Sequence, residues 1–267
     1  MKPVILNADD YAMDEGVDAA ILALAERGIV TAASAMALSP AWPEAGRRLL
    51  DVRIDRGLHL DLTSPFAEGP AGPPSLLRLM AAAYRGGLDR RAIRQTIDRQ
   101  LERFEAVTHA PPDFVDGHQH VHQLPVIGDE LIAALKARYG EAASAIALRL
   151  CRTHRWRGVK ASIIAGAGAR DFSRRAAQNG HPVNTDFAGV YGFSTRADLA
   201  ALWRRWLASL IGERPLVMCH VAAHEGASLD DIRGARLNEW KWLASNAFQE
   251  LCSELAIQRA GWRYYGA

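Results

Sequence analysis

Apolar positions along this chain fall into short blocks that switch between two spacings. Val4 to Leu6 is a compact apolar run that stops at Asn7, Asp9 and Asp10, which predicts a buried strand delivering polar side chains at its carboxyl end. From Asp14 to Arg27 the apolar residues Val17, Ala20, Ile21 and Leu24 recur at helical intervals, and Gly28 sits at the expected stop. Ile29 to Leu38, rich in small and β-branched residues, predicts a second strand ending at Ser39-Pro40, and a helix follows over Trp42 to Leu50. Apolar and polar residues then alternate from Arg56 to Thr63, as on a strand. Pro65 to Pro74 is dense in proline and glycine and predicts a surface loop at a rim or lid. Ile93, Ile97, Leu101 and Phe104 mark an amphipathic helix over Leu88 to Val107.

Phe114-Val115 opens a short strand running into Asp116-Gly117-His118-Gln119-His120-Val121-His122. Further helices are predicted near Gly128 to Tyr139, Ala197 to Leu210 and Asn238 to Glu254, with strands near Ala145 to Leu150 and Leu216 to Cys219. Such alternation implies βα units on a mostly parallel sheet, an α/β fold. No repeat and no shift in composition divides the 267 residues, so the expectation is one (β/α) TIM-barrel-like domain over the whole chain, with its chemistry at the carboxyl ends of the strands.

Composition narrows the function classes. Hydrophobic residues make up 49% and charged residues 23%, which excludes disorder and fibrous architecture. The formal charge of +2 is too small to imply a polyanionic partner, and no nucleic acid is expected. Three cysteines without a CxxC argue against a disulfide framework and fit a reducing cytoplasm. The polar residues arrive too early for a signal peptide, and no apolar run approaches the roughly 20 residues of a membrane span.

Five of the nine histidines lie in clusters with acidic or histidine neighbours. Asp9 and Asp10 alternate sides on an extended strand but can converge if the strand ends between them; in the bland alternative one of them caps the next helix. His59 and Asp61 are two apart and share a strand face, suiting a ligand with a supporting carboxylate. His118, His120 and His122 occupy alternate positions. His220 follows an apolar strand, and pairing it with His224 needs a helix there. Cys219 points away from His220 and fits a buried small hydrophobe. No GxSxG elbow and no P-loop is present, and Gly166-Ala167-Gly168-Ala169 lacks a dinucleotide context. The basic run Arg149 to Arg157 suits contact with a phosphate or a polyanion, but reads better as a solvated loop with one structural arginine. Imidazoles with a carboxylate and no cysteine ligand describe an open, catalytic metal site, and the expected class is metal-assisted hydrolysis of an amide or ester.

Asn7-Ala8-Asp9-Asp10-Tyr11, Gly57-Leu58-His59-Leu60-Asp61-Leu62-Thr63, Asp116 to His122 and Met218-Cys219-His220, in this order and spacing, resemble the YdjC-like carbohydrate deacetylases, which include chito-oligosaccharide and hopanoid-associated deacetylases. The resemblance runs from Asn7 to about Glu225. It implies a (β/α) barrel that removes acetyl groups from an N-acetylated saccharide or glycolipid with one divalent ion, Mg2+ or Zn2+. By motif position Asp10, His59 and His118 look like metal ligands, Asp9 like the general base and His220 like the general acid. Where family members continue from that histidine with Pro-Gly, this chain reads Val221-Ala222-Ala223-His224, which makes His224 a competitor. Arg149 matches a substrate-contacting arginine, and Asp61 is the second candidate for substrate binding. A metal-dependent phosphoesterase or amidohydrolase, or a non-catalytic carbohydrate-binding barrel, stands as the alternative. Oligomeric state is left open, a homodimer included.

Overall fold

The computed structural model describes residues 1–67, 73–224 and 231–265. Strand β1 (Lys2–Tyr11) leads through helix α1 (Glu15–Glu26) to β2 (Ala32–Ala35), then α2 (Trp42–Leu50) to β3 (Asp55–Leu60). Two helices follow, α3 (Leu76–Arg85) and α4 (Arg90–Thr108), before β4 (Phe114–Gly117) and a 3-10 turn over His118–Gln123. Helix α5 (Ile127–Tyr139) precedes the two-residue β5 (Ala147–Leu148), and α6 (Val159–Gly166) and α7 (Ala169–Gln178) lead to β6 (Asp186–Ala188). The chain closes with α8 (Leu199–Ser209), β7 (Pro215–Cys219), α9 (Arg233–Leu243), α10 (Asn246–Glu254) and β8 (Ile257–Arg259). None of the helices among the described residues is long and apolar enough to cross a membrane.

Local chemistry explains where these elements depart from the expected ones. The helix expected over Asn238 to Glu254 is two helices, because Ser245 leaves the helical region and its hydroxyl accepts from Phe248 N, starting α10 afresh. Helix α9 begins five residues before Asn238, at Arg233. Helix α3 was not anticipated; Ser75 caps its start and Gly86, at φ 70°, closes it in the left-handed region. The strand expected to carry His118, His120 and His122 stops at Gly117, and Gln119 and His120 turn away with φ of 51° and 63°. Part of the loop expected at a rim or lid, residues 68–72, lies outside the described residues.

The strands pair in the order β5-β4-β3-β2-β1-β7-β6, all parallel, with β8 alongside the start of β1. The sheet therefore curls into an incomplete barrel. Its two edges meet at a single bridge, Leu148 to Val183, and Asn184 extends the contact. The Asn184 amide accepts from Leu150 N at 2.6 Å and donates to Leu150 O at 2.9 Å and to Asp186 O at 3.0 Å, substituting for a missing stretch of strand pairing.

Period two divides the strands between two cores. Val4, Leu6, Leu58, Val115 and Val217 face the helices, whereas Ile5, Phe114, Phe187, Leu216 and Met218 fill the barrel interior over Trp262, which stacks on Phe114 at 5.4 Å. Gly57 is what admits the Phe114 ring, since a Cβ there would lie 2.3 Å from Phe114 Cζ. Continuing upward by twos, Ile5 gives way to Asn7 and Asp9, Gly57 to His59, Phe114 to Asp116, Ala147 to Arg149, and Met218 to His220. The parity that fills the floor with apolar side chains thus places polar ones at the carboxyl end.

Replacing Asn184 with alanine strands three buried backbone groups at the barrel seam. It is expected to cost about 2–4 kcal/mol, read as a lower urea midpoint at unchanged slope; an unchanged midpoint would show that the edges are held by other contacts.

Candidate active site

Asp9 and Asp10 converge, although the strand does not end between them. Pairing of β1 with β2 passes from Ala8 opposite Ala33 to Tyr11 opposite Ala35, so β1 carries one extra residue, a bulge. Asp10 sits in it at φ 70°, a conformation that a residue other than glycine adopts only under constraint. The bulge turns Asp10, which parity would send outward, toward the side Asp9 occupies. The cap of α1 is Asp14, whose Oδ1 accepts from Val17 N at 3.0 Å, so neither member of the pair is used as a cap.

Asp10 Oδ1 lies 2.9 Å from His118 Nδ1 and 3.2 Å from His59 Nε2, and Arg236 Nη2 donates to its Oδ2 at 2.6 Å. His59 and Asp116 are register partners on β3 and β4, and His59 Nδ1 meets Asp116 Oδ1 at 2.6 Å. Arg149 Nη1 then joins Asp116 Oδ2 at 2.9 Å to Asp9, at 2.7 Å from Oδ1 and 2.9 Å from Oδ2. Asn7 Nδ2 adds a bond to Asp9 Oδ1 at 2.7 Å. His220 Nε2 faces the pair from β7, 3.9 Å from Asp9 Oδ2 and 4.0 Å from Asp10 Oδ2.

All these groups except His118 and His220 are buried. Burial by itself raises the Asp9 carboxyl, but Arg149, with His59 and His220, holds it well below the usual range. Asp10 is held low in the same way by Arg236 and His118 against its burial. Burial lowers the His59 imidazole, yet Asp116, Asp10 and Asp9 outweigh it and push it up to about 10. Burial carries His220 down to about 4 despite the two aspartates.

These charges define what the cluster can hold. Asp9, Asp10 and Asp116 against Arg149 and Arg236 leave one negative charge uncompensated in the interior. If Asp116 accepts the Nδ1 proton of a neutral His59, the Nε2 lone pair faces Asp10 Oδ1, two electron-rich atoms at 3.2 Å. A proton or a cation between them relieves both problems. Ligand atoms of Asp10, His59 and His118 all lie within 4.8 Å of one another, as do those of Asp9, His59 and Asp116. The first set fits a metal better, because both carboxylates of the second are already bound to Arg149.

Other expected site residues lie elsewhere. Asp61 follows the end of β3, so the shared face with His59 is lost; its carboxylate accepts from Thr63 N at 3.0 Å, Ser64 N at 2.9 Å and the Ser64 hydroxyl, and is consumed in that turn. The carboxylate supporting His59 is Asp116. Arg149, expected to contact substrate, is fully buried and serves as internal countercharge. His122 meets Arg149 O through Nε2 at 2.8 Å, and His120 packs edge-on to Phe187 at 5.7 Å; burial and Arg149 keep both imidazoles below their usual range. No helix joins His220 to His224 through the described residues 221–224; His224 lies over the first turn of α1, where a Cβ on Gly16 would come 2.5 Å from its carbonyl oxygen. In the basic run, Arg157 as well as Arg149 is structural, forking onto Asp186 at 3.0 and 2.8 Å, while Arg152 and Arg155 are exposed. Arg236 and Glu239 escaped the sequence reading, because the expected helix began at Asn238 and cut them apart.

A family model described as YdjC-like protein matches residues 3–254. Chitooligosaccharide deacetylases of Yersinia pestis and Yersinia pseudotuberculosis are 33% identical over 135 residues, 47% of this chain and 53% of theirs, so the chain spans about half the length of the curated relatives it matches. A crystal structure of a proposed cellobiose-phosphate cleavage protein from Enterococcus faecalis superposes with a TM-score of 0.74 at 20% identity, covering 98% of both chains. A peptidoglycan N-acetylglucosamine deacetylase superposes with a TM-score of 0.54 at 11% identity over 97% of this chain and 85% of that one. At these identities the two structures establish the fold alone.

Arg149→Met leaves Asp9 and Asp116 facing each other in the interior without their shared cation. The expected loss is about 3–5 kcal/mol in denaturant unfolding of chelator-treated protein, whereas Arg152→Met, on the surface, should stay within about 0.5 kcal/mol. Equal, small effects would remove Arg149 from its bridging role.

Proposed function

The chain belongs to the YdjC-like family, and from that premise we propose that it is a metal-dependent hydrolase that removes the acetyl group from an N-acetylated amino sugar, carried on an oligosaccharide or a glycolipid. The observation that supports this reading most is the meeting of Asp10, His59 and His118 with Asp9 and His220 at the carboxyl end of one barrel. Asp10, His59 and His118 would hold the ion, Mg2+ or Zn2+, since carboxylate and imidazole suit both. When bound, such an ion polarises an acyl oxygen and acidifies water.

Asp9 is the general base of this reading. Arg149 keeps its carboxylate ionised at any working pH, and the two oxygens have different surroundings: Oδ1 takes Asn7, Ser34 and Arg149, whereas Oδ2 has Arg149 alone and faces His220. Oδ2 is therefore the atom with capacity to accept a proton from water. His220, neutral at rest, presents Nε2 3.9 Å from Asp9 Oδ2; it takes up the proton that Asp9 removes from water, and the resulting imidazolium hands it to the departing sugar nitrogen. His224 lies outside this arrangement. Water adds to the acyl carbon, the C–N bond breaks, and acetate and the free amine result. The near-neutral net charge of +2 suits an uncharged sugar.

Asp9→Asn should lower acetate release from N-acetylglucosamine oligomers about 10²–10⁴-fold while metal content, measured by elemental analysis, stays at the wild-type level; full activity would end the base assignment. His59→Ala should instead lose the metal. Chelation should abolish acetate release from the wild-type protein and a divalent ion restore it, and phosphate release from phosphoesters with no acetate release would point to the phosphoesterase alternative.

A further inference from the structure

Glu239 is a buried carboxylate on α9 that the reaction as described does not use. Its surroundings are specific. His220 lies one residue past β7, beyond Cys219, the last residue of that strand paired with β1. Its backbone N–H, pointing into a buried region, has no neighbouring strand to accept it; Glu239 Oε2 does so at 3.1 Å. The other oxygen, Oε1, accepts from the Tyr191 hydroxyl at 2.9 Å. The Tyr191 ring packs on Phe193 with centroids 4.6 Å apart, and Phe193 meets the His220 imidazole at 5.2 Å and 89°. Phe193 holds φ 54°, a strained backbone for an aromatic residue at the wall of a site.

The imidazole needs such a device. His220 Nδ1 is buried and has no hydrogen-bond partner among the described residues, so no carboxylate or carbonyl orients the ring in the way Asp116 orients His59. What remains is the backbone that carries the ring and the aromatic wall beside it. Glu239 touches the first directly and the second through Tyr191.

We propose that Glu239 is the positioning residue of the leaving-group acid, fixing the His220 backbone with one oxygen and the Tyr191–Phe193 wall with the other. This rests on the functional reading above, in which His220 protonates the sugar nitrogen. The clamp works in either charge state. As a carboxylate Glu239 accepts both bonds; as the acid, to which burial shifts it by raising its pKa to about 8, it still accepts from His220 N and donates to the tyrosine oxygen. A glutamine can reproduce the second arrangement.

The test compares two substrates on metal-loaded protein: an N-acetylglucosamine oligomer, whose amine must be protonated to leave, and p-nitrophenyl acetate, whose phenolate leaves without a proton. Glu239→Leu should lower kcat on the amide about 10²-fold, with a fall on the ester at least about tenfold smaller and KM for the oligomer within about twofold. Glu239→Gln should recover most of the loss. Tyr191→Phe, which removes one hydroxyl, should fall about tenfold on the amide and less on the ester, and it decides the matter if Glu239→Leu fails to fold. Equal falls on both substrates, or a glutamine variant no better than leucine, would overturn the proposal. A wild type that releases no acetate from any N-acetylated saccharide overturns the functional reading and this inference with it, whereas an active wild type matched by Glu239→Leu overturns this inference alone.

Discussion

The salt bridge from Arg149 to Asp9 and Asp116 is the contact on which the rest of the site depends. Asp9, Asp10 and Asp116 are withdrawn from water side by side, and each carries a desolvation cost that close partners must offset. Arg149 answers two of them with a single nitrogen, 2.7 Å from Asp9 and 2.9 Å from Asp116. Because Asp116 in turn fixes the His59 ring, the arginine sets the geometry of a side chain it does not touch. Because it also keeps Asp9 ionised, it leaves that carboxylate able to accept a proton. One buried cation thus links Asp9 to the metal-competent half of the cluster.

Strand parity supplies the platform and a bulge supplies the exception. Regular alternation brings Asp9, His59, Asp116, Arg149 and His220 to the interior side above the apolar floor, so five strands each contribute at or just past their carboxyl ends. Alternation alone would turn Asp10 toward the helices. The extra residue in β1 reverses it, at the cost of a left-handed backbone, and Arg236 from α9 secures the result through Asp10 Oδ2. Strain at this position is tolerable because neighbours on both sides fix it: β2 pairs with Ala8 before it and Tyr11 after it, and Ala12 N donates to Asp18 Oδ1 at 2.6 Å.

Much of this could be read from the sequence because it depends on local period. The α/β class, the parallel sheet and the gathering of Asp9, Asp10, His59, His118 and His220 follow from short apolar runs that end in ionisable residues. Where a residue's role depends on the place at which a strand stops, the reading failed. Asp61 is spaced correctly for partnership with His59, but β3 ends at Leu60 and the carboxylate folds back on Ser64. His120 and His122 alternate in sequence, but the turn after Gly117 breaks the alternation. Arg149 could not be distinguished from a substrate contact, since only the folded barrel shows it between two carboxylates. Arg236 and Glu239 required the start of α9, and with no side-chain cap there the sequence carries no marker for it.

The carboxylates of this site share one habit that explains how so many can be buried together. Each divides its two oxygens between partners. Asp116 gives Oδ1 to His59 and Oδ2 to Arg149; Asp10 gives Oδ1 to the two histidines and Oδ2 to Arg236; Glu239 gives one oxygen to His220 N and the other to Tyr191. An oxygen so engaged is aimed, which fixes the side chain against rotation, and each is hydrogen-bonded as well except Asp116 Oδ2, which has its ion pair with Arg149. It also limits what each group can do next. With Oδ2 held by Arg236, Asp10 has a single oxygen to offer a cation beside the histidines. Asp9 departs from the rule, because Arg149 reaches both of its oxygens and leaves Oδ2 the less encumbered. Both aspartates face His220, but Asp10 is also engaged by His59 and His118, which leaves Asp9 as the member of the pair that can act on a water.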